Sequence, residues 1–389
     1  MTQIASVSSV DEDGEAAAAD AARQLCRQLG GVPDWALCFF SAELNADAVL
    51  RGLGTRLPKT MPLVGCSSYA EIDSQEAMTR SVVLLGARNS GVTAHPVALR
   101  VEGRSSSQLG QALGQAFRPL HPSLIVVLPD VLSVNATEVL RGLQSELGPH
   151  APIIGGAAAD EGSFKKTFQI CGHALQSDGV VAMALSGPLQ LATAARSGYS
   201  PVSMPRVATR VEGGNVLLEL DGRPALSVYR EFLGPRAAEM PAVSIEFPLG
   251  VVPEGKNETL PDLTRAIFRV DEDRGALILG GTVAQGAKLR ILSCSHKDIL
   301  EGARKATAMA VTEMAHPDAA LLFNCMSRKV ALGGRYRDEV VEAKRHLPAD
   351  VPMAGFYTFG ELSPVGGTTE HHESTFTLAL LRLGSRGAS

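Results

Sequence analysis

The chain has 389 residues, of which 45% are hydrophobic, 20% charged and only 5% aromatic, so a large core must be filled mainly by aliphatic side chains and alanine. This is a globular composition and excludes a coiled-coil or disordered chain. With 36 Lys and Arg against 41 Asp and Glu the formal net charge is −5; there is no basic run, which argues against nucleic acid as a ligand.

The opening MTQIASVSSVDEDGEAAAAD has neither the basic start nor the apolar stretch of a secretory leader, which predicts a cytoplasmic protein. No apolar run approaches the roughly 20 residues of a membrane helix, so no membrane association is expected. Residues 1–30 read as an acidic segment, partly disordered, with a helix from Ala16 to Leu29. Cysteines at 26, 38, 66, 171, 294 and 325 are scattered and form no CxxC pair, as expected of reduced, buried thiols.

A repeat follows. The apolar run WALCFFSA at 35–42 reads as a buried strand, NADAVLRGLGTRL at 45–57 as a helix capped by Asn45, MPLVGCSSYAEI at 61–72 as a strand entering a loop, and RSVVLLGAR at 80–88 as a returning strand. The pattern recurs as SLIVVLPD at 123–130, NATEVLRGLQSEL at 135–147, APIIGGAAADEG at 151–162 and GVVAMALSG at 179–187. A β-rich stretch comes next. Asp221-Gly222 is a turn signal, PALSVYREFLG at 224–234 starts a helical pattern, and 295–315 reads as a long amphipathic helix. The third copy is AALLFNCM at 319–326, YRDEVVEAKRHL at 336–347, VPMAGFYTFGEL at 351–362 and TFTLALLRL at 375–383.

A strand, a helix and a second strand predict parallel pairing through a right-handed crossover, with the returning strand antiparallel. The fold class expected is therefore α/β, with mixed β-sheets and packed helices. Two related halves, 31–220 and 221–389, are built from strand–helix–strand–strand repeats. Loops at the carboxyl edge of such sheets are where ligands bind.

These motifs resemble the FIST proteins. GCSSYAEI and IIGGAAAD match the FIST N region, while LDGRPALSVYREFLG at 220–234, FNCMSRKVALGGRYRDEVVEA at 323–343 and GFYTFGELSP at 355–364 match FIST C. Ala70 stands where the family has Gly before the glutamate, and GTTEHHESTFT departs from the family's last segment. The resemblance implies a small-ligand-binding sensory module of bacterial signal transduction, with amino acid-like ligands. One branch implies haem as cofactor and nitric oxide as signal. Such proteins act through a separately encoded histidine kinase or cyclic-di-GMP enzyme. Self-association into a homodimer is a further expectation.

The candidate ligand-binding residues are Cys66, Glu71, Gly155, Gly156, Asp160, Asn324, Arg328, Tyr357, Gly360 and Glu361, all in the repeated loops or the strand ends beside them. Glu71, Asp160 and Glu361 would meet a ligand's ammonium or hydroxyl; the competing reading has each accept amide bonds in its own turn. Arg328 would hold a ligand carboxylate, or pair internally with Glu339. His372 is the candidate haem ligand, and because neighbours on a strand face opposite ways His371 cannot share its pocket. No nucleophile–base–acid series is visible, so a binding protein is expected and not an enzyme. The rival is a thiol-dependent hydrolase using Cys66.

Overall fold

The structure, a computed structural model, describes residues 3–253 and 263–384. It is mixed α/β, with three six-stranded sheets and one nine-stranded sheet among the described residues. Each six-stranded sheet is organised by one copy of the repeat. In the first copy, Trp35–Ser41 pairs parallel with Leu63–Ser68 and antiparallel with Ser81–Arg88. In the second, Leu124–Pro129 pairs parallel with Ile153–Gly156 and antiparallel with Gly179–Ser186. In the third, Ala319–Cys325 pairs parallel with Met353–Thr358 and antiparallel with Phe376–Leu383. The parallel pairs are crossed by helices whose starts obey the capping rule: the side chains of Asn45 and Asn135 accept from Ala48 N at 2.9 Å and Glu138 N at 3.1 Å.

Each copy also has a strand and helix ahead of its first strand; the helix expected from Ala16 to Leu29 is present as Gly14–Gln28, while the expected partial disorder is corrected for residues 3–30. Gln3–Val10 pairs antiparallel with Ser81–Arg88, and the helix Gly14–Gln28 packs behind it. Ala17, Ala18, Ala21, Ala22 and Leu25 are buried on one helical face. The acidic residues lie on the other side and in the turn, so a polar, alanine-rich sequence is compatible with regular structure from residue 3 onward. The second copy has the equivalent strand Thr93–Arg100 and helix Ser106–Phe117. Its helix packs on Ala136–Leu147 so closely that a Cβ at Gly142 would lie 2.1 Å from Ser107 O. In the third copy the strand Leu189–Arg196 and the helix His296–Glu313 are separated by the nine-stranded sheet, inserted between them.

The three six-stranded sheets face one another around a common core. Trp35, Leu37, Phe39, Val126, Leu128, Leu321, Phe323 and Phe356 meet there. Phe39 and Phe356 have ring centroids 4.7 Å apart, and Phe323 stands edge-on to both. The helices cover the outer faces, each pair with its own apolar cluster.

What binds the three copies together is an exchange of hairpins. After each glycine-containing strand the chain leaves its own sheet and joins another copy's. Glu71–Ile72 pairs with Met353–Thr358, Gln169–Cys171 pairs with Leu63–Ser68, and Glu361–Val365 pairs with Ile153–Gly156. The three loops are thereby drawn into contact. Tyr69 N donates to Tyr357 O (3.1 Å), Ala159 N to Ser67 O (2.9 Å) and Ala157 N to Gly360 O (2.8 Å).

Candidate functional site

The repeated loops converge, as the repeat predicted, but they are interior. Glu71 is fully buried; it accepts from Ser68 Oγ (2.5 Å) and Ser81 Oγ (2.6 Å), and burial pushes its carboxyl up to about 8. Glu361 repeats this geometry. It accepts from Thr358 Oγ1 (3.0 Å) and from Thr375 N (3.2 Å) at the head of the returning strand, and burial holds its carboxyl well above the ordinary range. Asp160 accepts amide bonds from Gly162, Phe164 and Lys165 within its own turn. All three carboxylates are thus spent on the chain itself.

The glycines make room for neighbouring backbone and side chains. A Cβ at Gly155 would lie 1.9 Å from Val127 O, one at Gly156 2.5 Å from Thr358 Cγ2, and one at Gly360 2.5 Å from His371 Nε2. Cys66 points into the central core, and its thiol is raised well above the ordinary value by burial, which takes it out of reach of a soluble substrate.

Arg328 is corrected from ligand clamp to internal tie. Its Nε and Nη2 donate to Glu339 Oε1 at 2.8 and 2.6 Å, Nη2 also to Ile299 O at 2.8 Å, and Nη1 to Ser197 O and Ser374 O. Every guanidinium hydrogen is used. Tyr357 Oη donates to Glu339 Oε2 at 3.0 Å, and Asn324 Nδ2 reaches the same oxygen at 3.4 Å. These residues fix the helices beneath the third sheet.

The open space lies one step further along the third copy. A cavity of about 630 Å³ separates the strand Thr368–His372 from the nine-stranded sheet. Thr368, Glu370, His372 and Thr375 form one wall, Val251, Leu263 and 284–287 the other, and Ala195–Ser197 the end. The alternation of a strand decides this wall: His371 and Glu373 point the other way, beside a second cavity of about 290 Å³ with Phe268 and Phe359. Of the residues singled out from sequence, only His372 lines the large cavity.

Arg196 was missed. It is half-buried, its Nη1 donates to Ala195 O at 2.8 Å, and burial lowers its pKa with no carboxylate among the described residues offsetting the effect. Glu370, on the opposite wall, is raised by burial and forms no ion pair among the described residues. His372 is pushed down to about 4 by burial and is therefore neutral; its Nε2 is hydrogen-bonded to Ser363 O at 3.0 Å. The segment GTTEHHEST carried a readable signal for Glu370, because a charged residue two positions from His372 shares its face. Arg196 carried none, since only the folded chain brings the end of the strand Leu189–Arg196 to this hairpin.

Among the described residues no group of three or more His, Cys, Asp or Glu could hold a metal ion, and no helix is long and apolar enough to cross a membrane.

The sequence comparisons fall on the same frame. The FIST N domain matches residues 34–223 and the FIST C domain residues 225–364. The chain belongs to the FIST family. FIST domains are sensory domains of signal transduction. The boundary between the two matched regions falls inside the nine-stranded sheet, where Val216–Leu220 pairs with Arg223–Pro224. An uncharacterized protein of Mycobacterium tuberculosis is 27% identical over 380 residues, covering 95% of this chain and 96% of its own. One of Mycobacterium bovis is 25% identical over 381 residues, with the same coverage. One of Methanocaldococcus jannaschii is 27% identical over 283 residues, 68% of this chain and 52% of its own. A chorismatase crystal structure aligns over 98% of both chains with a TM-score of 0.37 and 10% identity.

Proposed function

We propose that this FIST protein senses a small zwitterionic ligand of the amino acid class, bound in the cavity between the strand Thr368–His372 and the nine-stranded sheet. The observation that carries the reading is the pair of opposite charges on that cavity: Arg196 and Glu370, both half-buried and neither with an ion pair among the described residues. A half-buried charge without a directly bonded partner is costly, and a ligand with both signs would pair with both groups at once. A guanidinium takes a carboxylate in a bidentate pair, and Glu370 takes the ammonium. Neutral His372, fixed by Ser363 O, adds a polar wall without charge. Binding requires no covalent step. The signal passes to a separate effector, for which a histidine kinase or cyclic-di-GMP enzyme is the reading the family suggests.

The lining does not suit haem. A macrocycle needs an apolar slot with an available axial nitrogen. Here Arg196, Gln285, Thr368, Glu370 and Thr375 make the walls polar.

Thermal-shift titration of the full chain with each of the twenty L-amino acids tests the proposal. At least one should raise the midpoint in a dose-dependent way. Arg196→Ala should weaken that amino acid by about tenfold or more, the loss of one charged hydrogen-bonded contact. Wild-type affinity in both Arg196→Ala and Glu370→Gln would place the ligand elsewhere.

A further inference from the structure

The nine-stranded sheet meets the third hairpin through two buried charges that cross the boundary in opposite directions. Arg265 ends the strand Leu263–Arg265 of the nine-stranded sheet, and its Nη1 donates to His371 O in the hairpin at 3.0 Å. The same guanidinium is braced by Thr264 O and Thr282 O. Glu373 follows the hairpin strand, and its Oε2 accepts from two amides of the nine-stranded sheet, Ala266 N at 3.1 Å and Gly281 N at 3.0 Å. Its Oε1 has no partner and lies against Gly280, where a Cβ would come within 1.8 Å of it. Both side chains are almost fully buried, at 3% and 1% exposure. They form no ion pair with each other, yet the Arg265 charge favours the Glu373 carboxylate, which burial pushes up to about 7.

Their surroundings are open. The 630 Å³ cavity lies on one face of the hairpin strand and the 290 Å³ cavity on the other. The boundary therefore lacks the continuous apolar packing that makes the three-sheet core rigid, and a few polar contacts set its strength. Leu263, two residues before Arg265, lines the large cavity opposite Glu370 and His372.

We propose that Arg265 and Glu373 form a reciprocal clamp holding the nine-stranded sheet to the third hairpin, and that ligand in the large cavity tightens this clamp. The second part rests on the ligand reading above; the clamp itself does not. A ligand touching both walls binds the closed arrangement better than an open one, and that difference in affinity is the whole of the bias it can exert. The surface that changes is then the nine-stranded sheet, which is where an effector would read occupancy.

Hydrogen-exchange mass spectrometry of the full chain tests this with Glu373→Ala, Arg265→Met and Gly280→Ala beside the wild type, without added ligand. Amides of Leu263–Arg265, Ile267–Asp271 and Ala276–Leu279 should exchange at least tenfold faster in each variant, while Trp35–Ser41 and Leu124–Pro129 keep wild-type protection. Glu373→Ala removes the acceptor without adding bulk, so it serves if the other two do not fold. Wild-type exchange in Glu373→Ala, or an equal increase in every strand, would overturn the clamp. A second arm adds an equimolar mixture of the twenty L-amino acids to the wild type, and slower exchange at the same amides is expected. Faster exchange in the variants with no response to the mixture would contradict the ligand reading and its tightening of the clamp, while the clamp itself stands.

Discussion

In the first repeat the hairpin after the glycine loop consists of two strands of two residues, Glu71–Ile72 and Ala77–Met78, laid on the third copy's sheet. In the third repeat the corresponding strands have five residues each, Glu361–Val365 and Thr368–His372, and Glu370, His371, His372 and Glu373 follow in succession. The glutamates that open the two hairpins are held alike, by a hydroxyl three residues earlier and by the head of the returning strand. The loops are therefore a common structural joint. What differs is the length of the hairpin and the nine-stranded sheet that stands against it only in the third copy. A cavity exists there because two layers of different origin meet around a charged strand.

That comparison breaks most forcefully at Arg328, which lies in the joint and not in the cavity. Removing it leaves Glu339 buried without its partner, and Arg328→Ala should lower stability by about 3–5 kcal/mol in denaturant unfolding. In whatever fraction remains folded, amino acid binding should persist, because every donor of Arg328 serves the fold.

The joint glutamates give a smaller effect with a defined sign. Glu71 faces Lys329, Cys38 and Cys66 as well as its two serines, and burial outweighs Lys329. Unfolded, its carboxyl titrates near 4.5; folded, near 8. Between those values the folded state keeps a proton that the unfolded state has lost. Stability should therefore fall as pH rises through that window, by up to about 1.4 kcal/mol per unit for this group. Glu71→Gln should flatten the slope and gain stability at pH 8 relative to pH 5. An unchanged slope would mean that the carboxyl is ionised in the fold.

Much of this frame was legible beforehand. Short apolar runs gave the strands, and Asn45 and Asn135 gave the helix starts, because burial and capping are local properties. The parallel and antiparallel pairings followed from the crossover rule. The exchange of hairpins was not legible, since a two-residue strand such as Glu71–Ile72 pairs equally well with any open edge. The ordered start of the chain was hidden by its acidic turn. The loop residues were read as ligand contacts for a related reason. The three proline-to-acid loops repeat because they join the sheets, and repetition marks architecture more reliably than function. Arg196 and Arg265 lie outside the repeat and reach the hairpin from distant elements.

The smallest expected effect is at His372, whose neutral ring lines the cavity without carrying charge. His372→Ala should change amino acid affinity less than Arg196→Ala does, and a larger loss would return the histidine to the centre of the site.

The most direct measurement is native mass spectrometry of the full chain purified without exchange into ligand-free buffer, wild type beside Arg196→Ala. The account predicts a wild-type mass shifted by one small molecule, identified on release as carrying both an amino and a carboxyl group, and an Arg196→Ala protein at its sequence mass. The same adduct retained in full by Arg196→Ala would contradict the assignment of this cavity as the sensory site.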